Sequence, residues 1–321
     1  MALKKLIFID TNIWLDFYRA KSEAGLTLLG HVETIRDQII VTYQLESEFK
    51  RNRQQVIIDA LKELNPPQQI QPPRFLANSK YTKALKKDFE NTTRRIESLK
   101  KLAKKALVDP THHDSVYKIC QRIFHGETSL VLKRDDEIRK QIRSRAWRRF
   151  LHGNPPRKKG DTSFGDAFNW EWMIVCAQKE GAELVIVSRD GDYGINFENK
   201  SYINNHLRQE FSDRVDKRRN LQLYNKLSEA LREFDVTVTE PEEKEEEQIQ
   251  ESEFKAPTSP QDFLAIQNSL FTGFSDLKNL TQANWNNTDF SEIRKILNPY
   301  LSQKSEPPPP NKNSSDKKEE N

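Results

Sequence analysis

Four short runs of apolar residues, each next to a segment with helical spacing, constrain this chain more than any other feature. Leu6-Ile7-Phe8-Ile9 leads into Trp14, Leu15, Phe17 and Tyr18, and Ile39-Ile40-Val41-Thr42 leads into Leu45, Phe49, Ile57, Leu61 and Leu64, halted by Pro66-Pro67. Leu184-Val185-Ile186-Val187 follows a helical stretch from Asp166 to Glu180 that Gly181 closes, and Leu221-Gln222-Leu223-Tyr224 precedes Leu227, Leu231 and Phe234. A mainly apolar run without polar alternation reads as a strand buried on both faces. Strands that alternate with helices join through crossovers, so the expected fold is α/β: a mostly parallel central sheet with helices on both faces.

Charge divides the rest of the chain. The net of +4 over 321 residues hides a basic segment from Arg74 to Lys159, with 24 Lys and Arg against 9 Asp and Glu. It also hides an acidic segment from Glu240 to Asn321, with 9 against 16. A one-sided basic excess suits a polyanion. The first segment has helical spacing (Leu85, Phe89, Ile96, Leu99, Leu102, then Val116, Ile119, Cys120 and Ile123), which predicts a basic helical insertion over about 76–154. Past it, 1–240 would end in an acidic solvated linker, 241–262, then a short amphipathic helical segment, 263–301, and a disordered tail, 302–321. The segment 263–301 is a candidate surface for a protein partner or for self-association. Two cysteines are too few for a disulfide framework, and no apolar stretch suits a signal peptide or a membrane helix. A cytoplasmic protein that meets no membrane is expected.

Four acids stand where such a fold brings chain segments together. Asp10 follows the first strand in Asp10-Thr11-Asn12, and Glu48 lies a helical turn into the second long helix. Asp166 is at the head of a helix, and Asp190 follows the third strand in Ser188-Arg189-Asp190-Gly191-Asp192-Tyr193. Each has a plain structural alternative. Asp10 and Asp166 are good helix caps, and Asp190 and Asp192 sit in a turn-forming sequence. Glu46 and Glu48 point in different directions, so only one faces the strand ends. Glu171 lies about 140° around the helix from Asp166, which favours a supporting or structural role. The six histidines lack zinc-ligand spacing, and there is no phosphate loop or serine elbow.

Together these segments resemble the PIN-domain family of metal-dependent nucleases. The resemblance rests on Ile7-Phe8-Ile9-Asp10-Thr11-Asn12, on Glu48-Phe49-Lys50-Arg51, on Asp166 heading its helix and on Ser188-x-Asp190-x-Asp192-Tyr193. Gly165-Asp166-Ala167-x-x-Trp170-Glu171 looks most like a PIN-like branch of larger bacterial proteins. It implies that Asp10, Glu48, Asp166 and Asp190 hold one or two Mg²⁺ or Mn²⁺ ions and carry catalysis, with Asp192, Ser188 and Asn12 as auxiliary residues. Hard carboxylate oxygens suit those cations. Arg157, Lys158, Lys159 and Arg189 are the expected substrate contacts near the metals, and Trp147 could stack on a base or pack on its own helix. The expected activity is an endoribonuclease hydrolysing RNA phosphodiesters, in the setting of a toxin or antiviral defence effector. The alternatives are a DNA flap or single-strand nuclease and a catalytically inert RNA-binding scaffold.

Overall fold

The computed structural model describes residues 3–68, 70–157, 164–198 and 200–254. In chain order the elements begin with β1 (Lys5–Ile9), α1 (Thr11–Asp16), α2 (Glu23–Thr34), β2 (Ile39–Thr42), α3 (Tyr43–Glu63) and α4 (Lys80–Val108). Next come α5 (Pro110–His113), α6 (Ser115–Phe124), β3 (Val131–Leu132), α7 (Ile138–Leu151), α8 (Gly165–Glu180) and β4 (Glu183–Val187). The last are β5 (Gly194–Phe197), β6 (Lys200–Ile203), α9 (Asn205–Arg214), β7 (Leu221–Tyr224), α10 (Leu227–Arg232) and α11 (Glu240–Phe254).

The main sheet has the order β3-β2-β1-β4-β7, and all its pairings are parallel. Leu6, Ile7, Phe8 and Ile9 of β1 are each 0 % exposed. Burying one such side chain contributes about 1.5–3 kcal/mol, which explains why the most apolar run takes the centre. Register is set along β1 and β4, where Leu6 faces Leu184 and Ile9 faces Val187. From β1 the chain crosses to β2 on one side, while β4 and β7 extend the sheet on the other. The order therefore reverses at β1, the kind of switch point where α/β sheets open a crevice beyond the strand ends.

The helices start and stop for local reasons. Thr42 caps α3 through its hydroxyl, which accepts from Leu45 N–H at 3.0 Å, and Gly181, with φ of 58°, takes the left-handed position that ends α8. α8 is buried along most of its length, from Ala167 to Ala177, so the position of its first turn is fixed by packing.

The basic segment departs from the expected purely helical insertion. α4 and the one-turn α5 have no buried residue. α6 inserts Cys120, Ile123 and Phe124 into the core, and β3 adds a strand at the sheet edge, where Val41 N–H reaches Leu130 O at 3.1 Å. Two residues are too few for any periodicity to be visible in sequence. The β5–β6 hairpin, antiparallel with Ile195 opposite Tyr202, was likewise not expected.

The largest correction concerns residues 241–254, the first part of the expected solvated linker. They form most of α11, which packs on α2 and α10 and buries Glu242, Glu245 and Glu246. Glu245 accepts from Ser22 Oγ at 2.6 Å and from Ser22 N–H at 3.3 Å. Glu246 accepts from Ser228 N–H at 3.0 Å. These carboxylates occupy the amide-rich N-terminal ends of α2 and α10, where negative charge is favourable. Residues 255–262, 263–301 and 302–321 lie outside the described residues.

Candidate metal and nucleic-acid site

Asp10 caps α1 and also reaches the end of β4. It is 5 % exposed, its Oδ1 accepts from Thr11 N–H at 2.7 Å at the start of α1, and its Oδ2 accepts from the Ser188 hydroxyl at 2.6 Å. The same Ser188 oxygen accepts from Asp190 N–H at 3.1 Å. One hydroxyl thus links the ends of β1 and β4 and fixes where two of the acids stand.

Electrostatics show which acids share a neighbourhood. Burial pushes the Asp10 carboxyl up to about 6, opposed by the Ser188 hydrogen bond and reinforced by the charges of Asp190 and Glu48. Asp166, in the first turn of α8, is pushed up to about 8 by burial and then by the charges of Asp10, Asp192, Glu48 and Asp190. The phenol of Tyr193, which is 0 % exposed, is raised by burial and then by Asp166, Asp10, Asp192 and Glu48. Five carboxylates from β1, α3, α8 and the turn after β4 therefore act on one another, and like charges this close disfavour joint ionisation.

Glu46 and Glu48 do diverge. Burial works to raise the Glu46 carboxyl, but hydrogen bonds from Lys50 and His125 outweigh it and hold the group below its usual range. His125 Nε2 lies 2.8 Å from Glu46. Glu48 is the one whose charge reaches Asp10 and Asp166.

Other expected residues are placed differently. Arg189 is a correction: its guanidinium is paired end-on with Asp16 through both terminal nitrogens, Nη2 to Oδ1 at 2.8 Å, and is 8 % exposed, so it ties the turn after β4 to α1 and does not reach outward. Arg157 is exposed, yet its guanidinium donates to Phe150 O at 2.8 Å and covers the Phe150 ring at 4.3 Å. Lys158 and Lys159 lie outside the described residues. Trp147 stacks on Phe150 and meets Phe164 edge-on while remaining 47 % exposed. Glu171 is structural: it pairs with Arg149 at 3.0 Å and with Arg214 at 2.8 Å.

Two supports escaped the sequence reading. The Thr42 hydroxyl donates to Asn169 Oδ1 at 2.6 Å, joining the end of β2 to α8 one turn beyond Asp166. Tyr193 was visible only as the last letter of the Asp-x-Asp-Tyr stretch, and its part in the acidic neighbourhood was not foreseen. An Asn three residues after a helix-head Asp was the available clue to the first.

Among the described residues, no group of three or more His, Cys, Asp or Glu side chains already stands arranged as a metal cage. The donor set nevertheless fits a hard cation. It is all oxygen, and the buried Asn12 Oδ1 and Tyr193 hydroxyl have no hydrogen-bond partner among the described residues, a rare condition for buried polar atoms.

The family model of the PIN domain matches residues 7–193. The chain belongs to the PIN-domain family. The matched span includes Asp10, Glu48, Asp166, Asp190 and Asp192, and the parallel sheet is the α/β fold that the family resemblance implied. Comparison with curated proteins and with solved structures gave no significant match. PIN domains are generally metal-dependent nucleases, so this PIN domain is a nuclease domain with a nucleic acid as its substrate. Among the described residues, no helix is long and apolar enough to cross a membrane.

Proposed function

We propose that this PIN domain is a metal-dependent endoribonuclease that uses Mg²⁺ or Mn²⁺. The observation that carries the reading is Asp166, whose carboxyl is pushed up to about 8 by burial and by four neighbouring carboxylates. At neutral pH such a group ionises when a cation stands beside it. Asp10, Glu48, Asp166 and Asp190 would hold the metal, with Asp192, Asn12 and Tyr193 adjoining. When bound, a divalent cation supplies Lewis acidity, offsetting charge on a phosphate oxygen and making water more acidic. Ser188 keeps the Asp10 carboxylate aimed, and the buried stem of α8 holds Asp166 in place.

RNA is favoured over DNA by the PIN resemblance, while the +15 segment from Arg74 to Lys159 suits the phosphate backbone of either. A cytoplasmic toxin or antiviral defence effector is the role this reading suggests. Labelled RNA and DNA of one sequence, incubated with Mn²⁺ in parallel, test the substrate. RNA cleavage that Asp10→Asn or Asp166→Asn abolishes, with the circular-dichroism spectrum unchanged, is expected; cutting that persists in both variants overturns the reading.

A further inference from the structure

A second feature on α8 lies about 140° around the helix from Asp166. There, the C-terminal half of α7, the middle of α8 and the end of α9 enclose an open cavity of about 490 Å³. Its wall includes Arg145, Arg148, Arg149, His152, Arg214 and Glu171, and every lining side chain among the described residues is polar.

The arginines are of two kinds. Arg149, which is 7 % exposed, and Arg214 are locked by Glu171 and Glu210: Arg214 meets Glu210 at 2.7 Å and Glu171 at 2.8 Å, and Arg149 pairs with both acids. Arg145 and Arg148, half-buried and exposed respectively, have no carboxylate partner among the described residues. Two carboxylates thus offset two guanidiniums, and two positive charges remain on a prebuilt floor. Guanidinium forks match phosphate oxygens. Among the described residues no Phe, Tyr or Trp lines the wall to stack on a base, and polar surface outweighs apolar, so the cavity is suited to phosphate and indifferent to sequence.

We infer that this α7–α8–α9 cavity is a docking cradle for a phosphate group of the nucleic-acid strand, separate from the carboxylate site, with Arg145 and Arg148 as the contacting residues. It rests on the nuclease reading for its ligand. The phosphate is either an internal phosphodiester or a strand terminus. The cradle anchors the strand on one side of α8 while Asp166 stands at the head of the same helix, so a rigid element sets the span between anchor and cleavage point.

The test is metal-free binding of short labelled single-stranded RNA to the full chain in EDTA, by fluorescence anisotropy over a salt series. R145Q/R148Q is compared with the parent and with K86Q/K87Q, which removes equal charge from the exposed face of α4. The expected result is binding weaker by about tenfold in R145Q/R148Q, with the slope of log affinity against log salt shallower by about 1.4, at roughly 0.7 per phosphate contact on a single strand. An unchanged slope in R145Q/R148Q, or an equal loss in K86Q/K87Q, overturns the cradle. RNA carrying a 5′-phosphate, compared with its 5′-hydroxyl twin, assigns the ligand: tighter binding that R145Q/R148Q abolishes marks a terminal phosphate, and equal binding marks an internal one. Cleavage with Mn²⁺ is scored separately, so an inactive parent retires the nuclease reading while a shifted slope still upholds the cradle.

Discussion

Asp166 and Glu171 are five residues apart on one buried helix, and burial acts on both to raise the carboxyl. They end on opposite sides of the ordinary value. Asp166 sits among carboxylates and is pushed up to about 8, whereas hydrogen bonds and charges from Arg214 and Arg149 hold Glu171 below its usual range. Burial is common to both, and the sign of the neighbours decides the outcome. Where the protein supplies the counter-charge, the acid is structural. Where it supplies more acid, the carboxyl keeps its proton unless a cation from outside supplies the counter-charge, as the proposed metal would.

The largest effect expected from this contrast is on activity. Asp166→Asn removes a proposed metal-holding oxygen and should lower cleavage well beyond the ~100-fold typical of losing an outer partner of a metal site. The metal-free variant should melt no lower than the parent, because asparagine replaces, in the same shape, a carboxyl that the fold holds protonated at neutral pH. Cleavage assays paired with thermal melts read both quantities, and a large drop in melting temperature breaks the contrast.

Glu171→Ala should do the reverse. It leaves Arg149 buried without one of its partners, at a cost of about 3–5 kcal/mol in denaturant unfolding. A loss below ~1 kcal/mol would mean that Glu210 alone neutralises the arginines.

Next is the pH dependence, which carries opposite signs at the two acids. Between the usual carboxylate range and about 8, folded Asp166 keeps a proton that the unfolded chain has released, so the metal-free protein should lose stability as pH rises through that window. Asp10 adds to the loss up to about 6. Glu171, whose carboxyl is lowered, contributes stability that is present at neutral pH and is lost as pH falls below the unfolded range. Mn²⁺ should therefore raise the melting temperature more at pH 8 than at pH 5; an equal shift at both would place the metal away from these acids. The smallest expected effect is that of Ser188→Ala, about 1 kcal/mol of stability from one hydrogen bond, with the acid limb of the cleavage profile moving to higher pH as Asp10 loses the contact that lowers it.

The parallel sheet was legible because strands buried on both faces spell themselves as unbroken apolar runs, as at Leu6–Ile9. β3 was not, since its two residues take their strand geometry from pairing with β2. The residues that β1, α3, α8 and the turn after β4 bring together were readable from position: Asp10, Glu48, Asp166 and Asp190 each follow a strand or stand near the head of a helix. The cap expected of Asp10 is present and does not use up the carboxylate, because its two oxygens serve Thr11 N–H and Ser188 separately. Arg189 misled because a basic residue beside an acidic turn looks like a substrate contact; only the fold reveals Asp16 opposite it. α11 misled for a related reason. A glutamate-rich run reads as solvated when charge is counted, but not when the exposed amides of α2 and α10 lie across from it.

That last contact has a practical side. Since Glu245 serves the start of α2 and Glu246 the start of α10, the nuclease body cannot be trimmed at residue 240 without uncapping two helices in distant parts of the sequence. A version that keeps both helices capped must extend past Glu246 and so retain the body of α11, Glu240–Phe254. In the language of modular design, those fifteen residues are the clasp that closes the body on itself, and any fusion, tag or protease site belongs beyond them.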